Sequence, residues 1–511
     1  MTIQRRAFSG IVAGAANFAV TFGLTLAQVP LLLHYWGAEL YGNWTALFAF
    51  YSLLITLDTG HQGYLGAIFM QKIHGEREEL KKTLGSGIRI ALVLGATQLV
   101  LCVLIGVFEL ARPVIGADIK VVSNAELALS LAALILQWVL SGSICGILVK
   151  IFSAGGHYTR AMVWGIAYRI LFTGSLCAGA MISGRILPSA VLVAVSITIL
   201  AILQAWDLKR LFPDLFPWWS KGSWLEGWRN LRSSTWLTIS GVIQQFSSNG
   251  LVLLVTHLLD SVAVALLTTM RTLANTATQA TSIVVQPILP DLIRYHVANE
   301  GQKVKHTLAG LWFVSGVLVN LGLATAIAVA PPFYQYWTQG KLPFDGVLFG
   351  LLAVSILIRN IASPLSVYLY GLNDIGAQMR IAVGQTVSTL LVCALLVSEF
   401  GIRGAGLGVI CGEIVAAVIA FRYVAKAVVP LGIDLTLGQI VFPSLGLALV
   451  AAGYGADALW PGHSLAICLA TIFALLGLAR LNWQNLPDSV RTRISSIMPK
   501  AIGLGANSPK I

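Results

Sequence analysis

The sequence predicts an all-α polytopic membrane protein with about 14 transmembrane helices. Of its 511 residues, 57% are hydrophobic and only 11% are charged, and the mean hydropathy is +0.81. A soluble chain of this size needs about a quarter of its residues charged to cover its surface. The charges are clustered, and they leave apolar stretches of about 20 residues, the length of a membrane-spanning helix. Ten-residue segments of alternating polarity, typical of a transmembrane β-barrel, are not the pattern here, so the spans are helices.

The apolar stretches define fourteen predicted spans, numbered along the chain. The 12-to-13 boundary is the hardest to place, because Pro430 and Gly432 interrupt a weakly apolar region. The predicted spans are 8–34, 41–68, 90–108, 124–148, 160–182, 187–206, 234–257, 262–290, 306–330, 345–370, 377–398, 402–424, 436–456 and 462–480.

The distribution of Lys and Arg predicts that both termini are cytoplasmic. With the N-terminus inside, about 25 of the 33 Lys and Arg residues fall on the cytoplasmic side. The opposite side receives Arg112, Lys120, Arg185, Lys341 and Arg403. The same bias explains the net charge of +12 without nucleic acid, because basic loops lie against anionic lipid head groups.

Five charged residues lie deep inside predicted spans. Three are basic and two are acidic: Arg169, Arg271, Arg359, Asp58 and Glu413. A charge near the bilayer centre costs at least about 2.5–3.5 kcal/mol, so such residues face a wet cavity or a partner. They could pair with one another as fixed structural contacts. The excess of guanidinium groups instead favours a central cavity for an anionic, phosphate-bearing substrate.

Polar stripes run along spans 1, 7 and 8 at helical spacing. Thr21 and Thr25 mark the first, Gln245 and Asn249 the second, and Asn275, one turn after Arg271, the third. Such stripes could hold helices together, or they could line a wet cleft and bind sugar hydroxyls. The candidate substrate-binding residues are therefore Arg169, Arg271, Arg359, Asn275, Gln245 and Asn249.

A carboxylate and a histidine lie close together in span 2, within the segment Leu57-Asp58-Thr59-Gly60-His61-Gln62-Gly63. An intramembrane carboxylate near a histidine can carry a coupling proton. A local structural pairing of Asp58 in a bent helix is the other interpretation. The candidate ion-coupling residues are Asp58, His61 and Glu413.

Short motifs resemble the polysaccharide transporter family. These are Pro30-Leu31-Leu32-Leu33, Trp36-Gly37-Ala38-Glu39-Leu40-Tyr41-Gly42-Asn43-Trp44, Leu57-Asp58-Thr59-Gly60 and Gly401-Ile402-Arg403-Gly404-Ala405-Gly406. That family contains the Wzx-type O-antigen flippases, within the multidrug/oligosaccharidyl-lipid/polysaccharide exporter superfamily. The helix count and the break near 207–233 match it over essentially the whole chain.

The resemblance implies two six-helix lobes around a cationic central cavity, followed by two further helices. The corresponding segments are an N-lobe at 1–206, a cytoplasmic linker at 207–233, a C-lobe at 234–427, and the last helices and tail at 428–511. It implies ion-coupled flipping of an undecaprenyl-diphosphate-linked oligosaccharide across the inner membrane by alternating access, for cell-surface polysaccharide and lipopolysaccharide synthesis. Membrane lipids, a polysaccharide polymerase and chain-length proteins are the other candidate partners.

Other functions stay open. A multidrug antiporter of the same superfamily would favour an acidic cavity for cationic drugs, whereas this chain has more Arg than acid at depth. A flippase for another lipid-linked precursor has the same physical requirements. An enzyme is not expected, because the predicted extracytoplasmic loops are short and the 207–233 loop carries only Asp207, Asp214 and Glu226. No cofactor or metal-site spacing is present in the sequence.

Overall fold

The computed structural model describes residues 3–73, 75, 77–116, 121–285, 289–372, 374–433, 440–488 and 490–492, with side chains from residue 19 onward and outside 279–291. Helices make up nearly all of this part of the chain. They are α1 Ile3–Lys72, α2 Arg77–Val107, α3 Ala111–Ile115, α4 Asn124–Trp138, α5 Cys145–Ala154, α6 Tyr158–Ser183, α7 Ile186–Leu211, α8 Trp224–Gln245, α9 Leu251–Leu258, α10 Ser261–Val285, α11 Leu289–Val297, α12 Gly301–Trp337, α13 Gly346–Gly371, α14 Ile375–Phe400, α15 Ile402–Val428, α16 Val441–Leu459 and α17 Ser464–Asn485.

The expected multi-pass, all-helical membrane fold is confirmed. Within the described residues, eleven helical segments are long and apolar enough to cross a bilayer, and the first is long enough for two crossings. The segments 224–258 and 261–285 have sufficient length but do not reach that apolarity. They are the helices that carry the predicted polar stripes of spans 7 and 8.

Predicted spans 1 and 2 are not separated by an extended loop. Helical structure runs from Ile3 to Lys72 and is interrupted at Gly37, where the backbone adopts φ +73°. Glycine accepts this conformation because it has no Cβ. The gap between predicted spans 1 and 2, residues 35–40, therefore contains the break but is longer than the interruption itself.

The predicted linker 207–233 is shorter in the structure, because α7 continues to Leu211 and α8 begins at Trp224. Among its aromatic residues, Trp218 is buried, whereas Trp219, Trp224 and Trp228 are about half exposed. Trp218 packs into a core with Leu84, Phe152 and Leu208, among other residues. Exposed tryptophans of this kind are typical of a segment at a membrane interface.

The chain divides into two compact units. The first comprises Met1–Thr269, Gln335–Pro343 and Val397–Ile402, and the second comprises Met270–Tyr334, Phe344–Leu396 and Arg403–Ile511. The predicted lobe boundaries at 206, 233 and 427 stay a prediction.

In unit 1, helices α6 and α7 form a tight hairpin. Ser183 and Arg185 flank Gly184, which ends α6 in the left-handed conformation at φ +62°. Gly179 then lies against the backbone of Ser189, an approach that leaves no room for a Cβ. Close helix contacts at small residues are typical of membrane proteins.

Contacts in unit 1 also agree with the predicted sidedness of its loops. The basic segment 69–89 contacts the 207–233 segment, since the Lys81 ammonium donates to the Phe216 carbonyl over 3.1 Å. At the other ends of the spans, Lys341 donates to the Leu33 and His34 carbonyls over 2.7 and 2.9 Å. Which of these sides is the cytoplasm stays a prediction.

Unit 2 has its own apolar core. Leu308 and Trp312 of α12 pack with Leu365 and Tyr368 of α13 and with Val424 of α15. Helix α13 begins at an N-cap, where the Asp345 carboxylate accepts from the Leu348 backbone amide over 3.0 Å. This core sets the position of α13 and α15, whose central residues carry the charges described next.

Candidate substrate and coupling sites

The centre of the charged group in unit 2 is the carboxylate of Glu413, on α15. It accepts hydrogen bonds from Arg359 Nε over 2.8 Å and from Gln385 Nε2 over 2.9 Å, and Arg359 Nη2 is a third donor. Glu413 is only 2% exposed. Because a buried carboxylate needs such donors, the three helices α13, α14 and α15 are joined at this point.

The Arg359 guanidinium is paired on one side and open on the other. Its side chain is 39% exposed, against 3% for that of Glu413. Arg359 lies 12 or more residues from both ends of α13, about 18 Å along the helix axis. A guanidinium that is accessible at this depth faces either lipid or a polar space, and lipid is the costly alternative.

A second guanidinium belongs to the same group. Arg271 on α10 interacts electrostatically with both Arg359 and Glu413, and it is half-buried. Two guanidinium groups and one carboxylate leave an excess of positive charge. The structure thus brings together three residues that the sequence marked at separate positions in spans 8, 10 and 12.

In unit 1, Asp58 on α1 is 1% exposed and is held by two donors. Trp138 Nε1 lies 3.3 Å from each carboxylate oxygen, and the Ser143 hydroxyl donates to Oδ2. Ser143 is presented by a π-helical segment, Val139–Ile144, between α4 and α5. Such π-bulges often occur at functional sites. Gly142 belongs to this segment, and the Trp138 ring packs where a Cβ at residue 142 would otherwise lie.

His61 lies one turn beyond Asp58 and faces a different partner. Its Nδ1 is 3.3 Å from the Ser234 hydroxyl on α8. That hydroxyl donates to the Leu231 carbonyl over 2.8 Å, so it accepts from His61, and the histidine carries its proton on Nδ1. Nε2 is then a buried acceptor with no hydrogen-bond partner in the described part of the chain.

Arg169, on α6, lines a small cavity in unit 1. The cavity has a volume of about 130 Å³, and Thr21, Thr25 and Tyr168 also line it. Arg169 itself is exposed. The polar stripe of predicted span 1 therefore lies next to the deep arginine of predicted span 5, a proximity that the sequence did not specify.

The remaining candidate residues are less closely organised. Gln245 Oε1 accepts from Asn249 Nδ2 over 2.9 Å, where α8 passes into the π-helical segment Phe246–Gly250. Asn275 on α10 is half-buried, and its carbonyl accepts from the Thr278 hydroxyl. The substrate and coupling roles of all nine candidate residues stay predictions.

The residues that bind the two buried carboxylates were not predicted: Gln385 at Glu413, and Trp138 and Ser143 at Asp58. Each is a polar or amphipathic residue in the middle of an apolar span. That signal was present in the sequence, but neutral residues carry a smaller desolvation penalty than ions and are common as helix contacts. Only their positions next to Glu413 and Asp58 distinguish them.

The fold is similar to that of solved lipid flippases and multidrug transporters. No protein-family model matches the sequence, and no curated protein sequence does either. The lipid II flippase MurJ in its inward closed conformation aligns with a TM-score of 0.70 at 14% identity, over 93% of this chain and 99% of that chain.

Two transporters of the multidrug and toxin extrusion (MATE) type are also similar. An inward-facing multidrug resistance MATE family transporter of the multidrug/oligosaccharidyl-lipid/polysaccharide superfamily aligns with a TM-score of 0.66 at 14% identity, over 81% of this chain and 95% of that chain. The eukaryotic MATE transporter AtDTX14 aligns with a TM-score of 0.52 at 17% identity, over 84% of this chain and 98% of that chain. These neighbours are transporters and flippases, not enzymes.

Proposed function

We propose that this protein flips an undecaprenyl-diphosphate-linked oligosaccharide across the inner membrane by ion-coupled alternating access, for cell-surface polysaccharide synthesis. The observation that carries the proposal is Arg359, whose guanidinium is held by Glu413 near the middle of α13 while its side chain is 39% exposed. A purely structural ion pair has no need of an open face at this depth.

The chemistry of a diphosphate suits this group. Arg359 and Arg271 together exceed the charge of Glu413, so an incoming anion would complete the charge balance. A guanidinium binds phosphate oxygens through two parallel hydrogen bonds. The hydroxyls of Thr21 and Thr25 beside Arg169, and the amides of Gln245, Asn249 and Asn275, are suited to sugar hydroxyls.

Coupling is assigned to Asp58 and His61 in unit 1, with Glu413 as a further candidate. Asp58 is a buried carboxylate whose hydrogen-bond donors are a neutral hydroxyl and an indole, with no basic side chain among them. His61 Nε2 is a buried acceptor one turn away. A cation or a proton could be taken up at this pair and released when the site opens.

Two alternative functions are compatible with this fold: a multidrug antiporter and a flippase for another lipid-linked precursor. The likeness to MATE transporters favours a multidrug antiporter, but the excess of guanidinium over carboxylate groups in unit 2 disfavours cationic drugs. The lipid II flippase covers a larger share of this chain than the MATE transporters do, which favours a lipid-linked substrate. A different lipid-linked precursor would satisfy the same groups.

The test is complementation of a strain that lacks its oligosaccharide flippase, read out as surface glycan. Replacing Arg359 alone would strand the buried Glu413, so the informative variant is the neutral double substitution Arg359→Gln with Glu413→Gln. We expect it to insert normally and to lose most surface glycan. Arg403→Gln is the matched control, because Arg403 is an exposed arginine that pairs with a carboxylate, that of Asp345, at 3.0 Å.

The outcomes separate a pathway role from a structural one. Normal glycan with the neutral double variant would show that the pair serves only to hold α13 and α15 together. Glycan rescue together with unchanged drug sensitivity would exclude the multidrug alternative. Location in the inner membrane, cytoplasmic termini, and cooperation with a polymerase and chain-length proteins stay predictions of the same proposal.

A further inference from the structure

A second site in unit 2 lies away from the charged group around Glu413. A groove of about 590 Å³ opens between the start of α12, the start of α16 and the end of α17. It is called the terminal groove below. Its volume is in the range of sites that hold small ligands, and none of its lining residues belongs to the candidate substrate or coupling sites.

The lining of the terminal groove changes from polar to apolar along the helix axes. Gln302 and Lys305 in the first turns of α12, and Asn485 at the last residue of α17, form a polar rim. Phe313, about 18 Å into α12, and Leu478, about 10 Å before the end of α17, belong to the apolar wall. Leu445 of α16 completes this wall and is itself 48% exposed.

The rim carries an available positive charge. Lys305 is half-buried and forms no ion pair within the described residues, and His306 lies beside it. The nearby carboxylates are engaged elsewhere: Glu300 with Lys303 at 2.9 Å, and Asp488 with Arg491. A ligand at this rim is therefore expected to be anionic.

We infer that the terminal groove binds an anionic glycerophospholipid, with its phosphate on Lys305 and an acyl chain along Phe313, Leu445 and Leu478. The order of the lining matches such a lipid, whose charged end lies at the membrane surface and whose chains point inward. A soluble anion would gain nothing from the apolar wall. The chain's own residues 493–511 are a poorer fit, because they carry Arg493, Lys500 and Lys510 and no acidic side chain.

The experiment is lipid retention by the purified full-length protein, measured by native mass spectrometry. Phosphatidylglycerol is compared with phosphatidylcholine of the same acyl chains. We expect preferential retention of phosphatidylglycerol, a loss of about fivefold in Lys305→Gln, and near-normal retention in Lys305→Arg. Lys303→Gln is the matched control, because Lys303 is two residues away, is exposed and already pairs with Glu300.

Three results would overturn the inference. Equal retention of the two lipids would remove the charge argument, and an equal loss in Lys303→Gln would indicate a diffuse basic surface. Displacement by soluble glycerol phosphate at similar concentration would show that the groove recognises a free phosphate. The assay contains no lipid-linked sugar, so its outcome is independent of the proposed flippase activity.

Discussion

Arg359 and Glu413 form an ion pair in which the carboxylate is buried and the guanidinium is partly open, with Nε 2.8 Å from Oε1. The asymmetry predicts unequal effects of removing the two partners. Arg359→Gln removes the ion-pair partner of a buried carboxylate and leaves Gln385 as its hydrogen-bond donor; loss of one partner of a buried pair typically costs about 3–5 kcal/mol. Glu413→Gln leaves the Arg359 guanidinium without its carboxylate. Because the Arg359 side chain is partly exposed, we expect a smaller loss of stability from this substitution.

The measurement is the melting temperature of the two single variants and the neutral double variant in detergent. The double variant is expected to recover most of the loss caused by Arg359→Gln. Equal destabilisation by both single substitutions would mean that the two ends of the pair are equally buried in solution.

Asp58 is expected to link transport to pH or to the coupling cation. Its carboxylate is held by Ser143 and Trp138, and an amide in its place cannot gain or lose a proton. Asp58→Asn should therefore weaken the dependence of transport on pH while the protein still inserts. The assay is flipping in vesicles across a pH gradient.

Thr59→Ala is the control for this substitution. Thr59 is an exposed neighbour on the same turn, and its hydroxyl donates to the Thr56 carbonyl of its own helix over 3.0 Å. An unchanged pH profile in Asp58→Asn would assign this carboxylate to structure alone.

Two glycines in the same segment of α1 should respond differently to alanine. A Cβ at Gly60 would collide with the backbone of Thr238 on α8, whereas a Cβ at Gly63 meets nothing within 4 Å. Gly60→Ala should lower stability by about 1–3 kcal/mol, the usual cost of overpacking. Gly63→Ala should be neutral or slightly stabilising, because alanine favours the helix. Thermal unfolding in detergent measures both, and equal effects would contradict the packing of α1 on α8.

His296 is expected to make part of the free energy of unfolding depend on pH. It lies in α11, and its Nδ1 is 2.5 Å from the Tyr368 hydroxyl. Partial burial lowers the pKa of His296 below its ordinary value of 6.5. The unfolded chain then takes up a proton before the folded protein does, so the free energy of unfolding falls as pH drops below about 6.5.

His296→Gln should reduce the decline of the melting temperature between pH 7 and pH 5. The control is His463→Gln, a substitution of an exposed histidine at the start of α17. If both variants keep the wild-type decline, His296 does not contribute to it.

The membrane character, the helices and the deep charges followed from the sequence because these are local properties. The length of an apolar run determines whether it can span a bilayer, and a single Arg in its middle is identifiable without knowledge of its neighbours. The gap between predicted spans 1 and 2 likewise contained the break in α1, which falls at Gly37, a residue type that readily adopts the conformation found there.

The partners of these residues were decided by the tertiary structure alone. Arg359 and Glu413 are 54 residues apart in sequence, and nothing in either helix specifies that pairing over one with Asp58. The sequence also does not distinguish Gly60, against which α8 packs closely, from Gly63, which has no neighbour within 4 Å of a Cβ. Contacts between helices depend on how whole faces pack against each other, and a pattern read along one helix contains only one of the two faces.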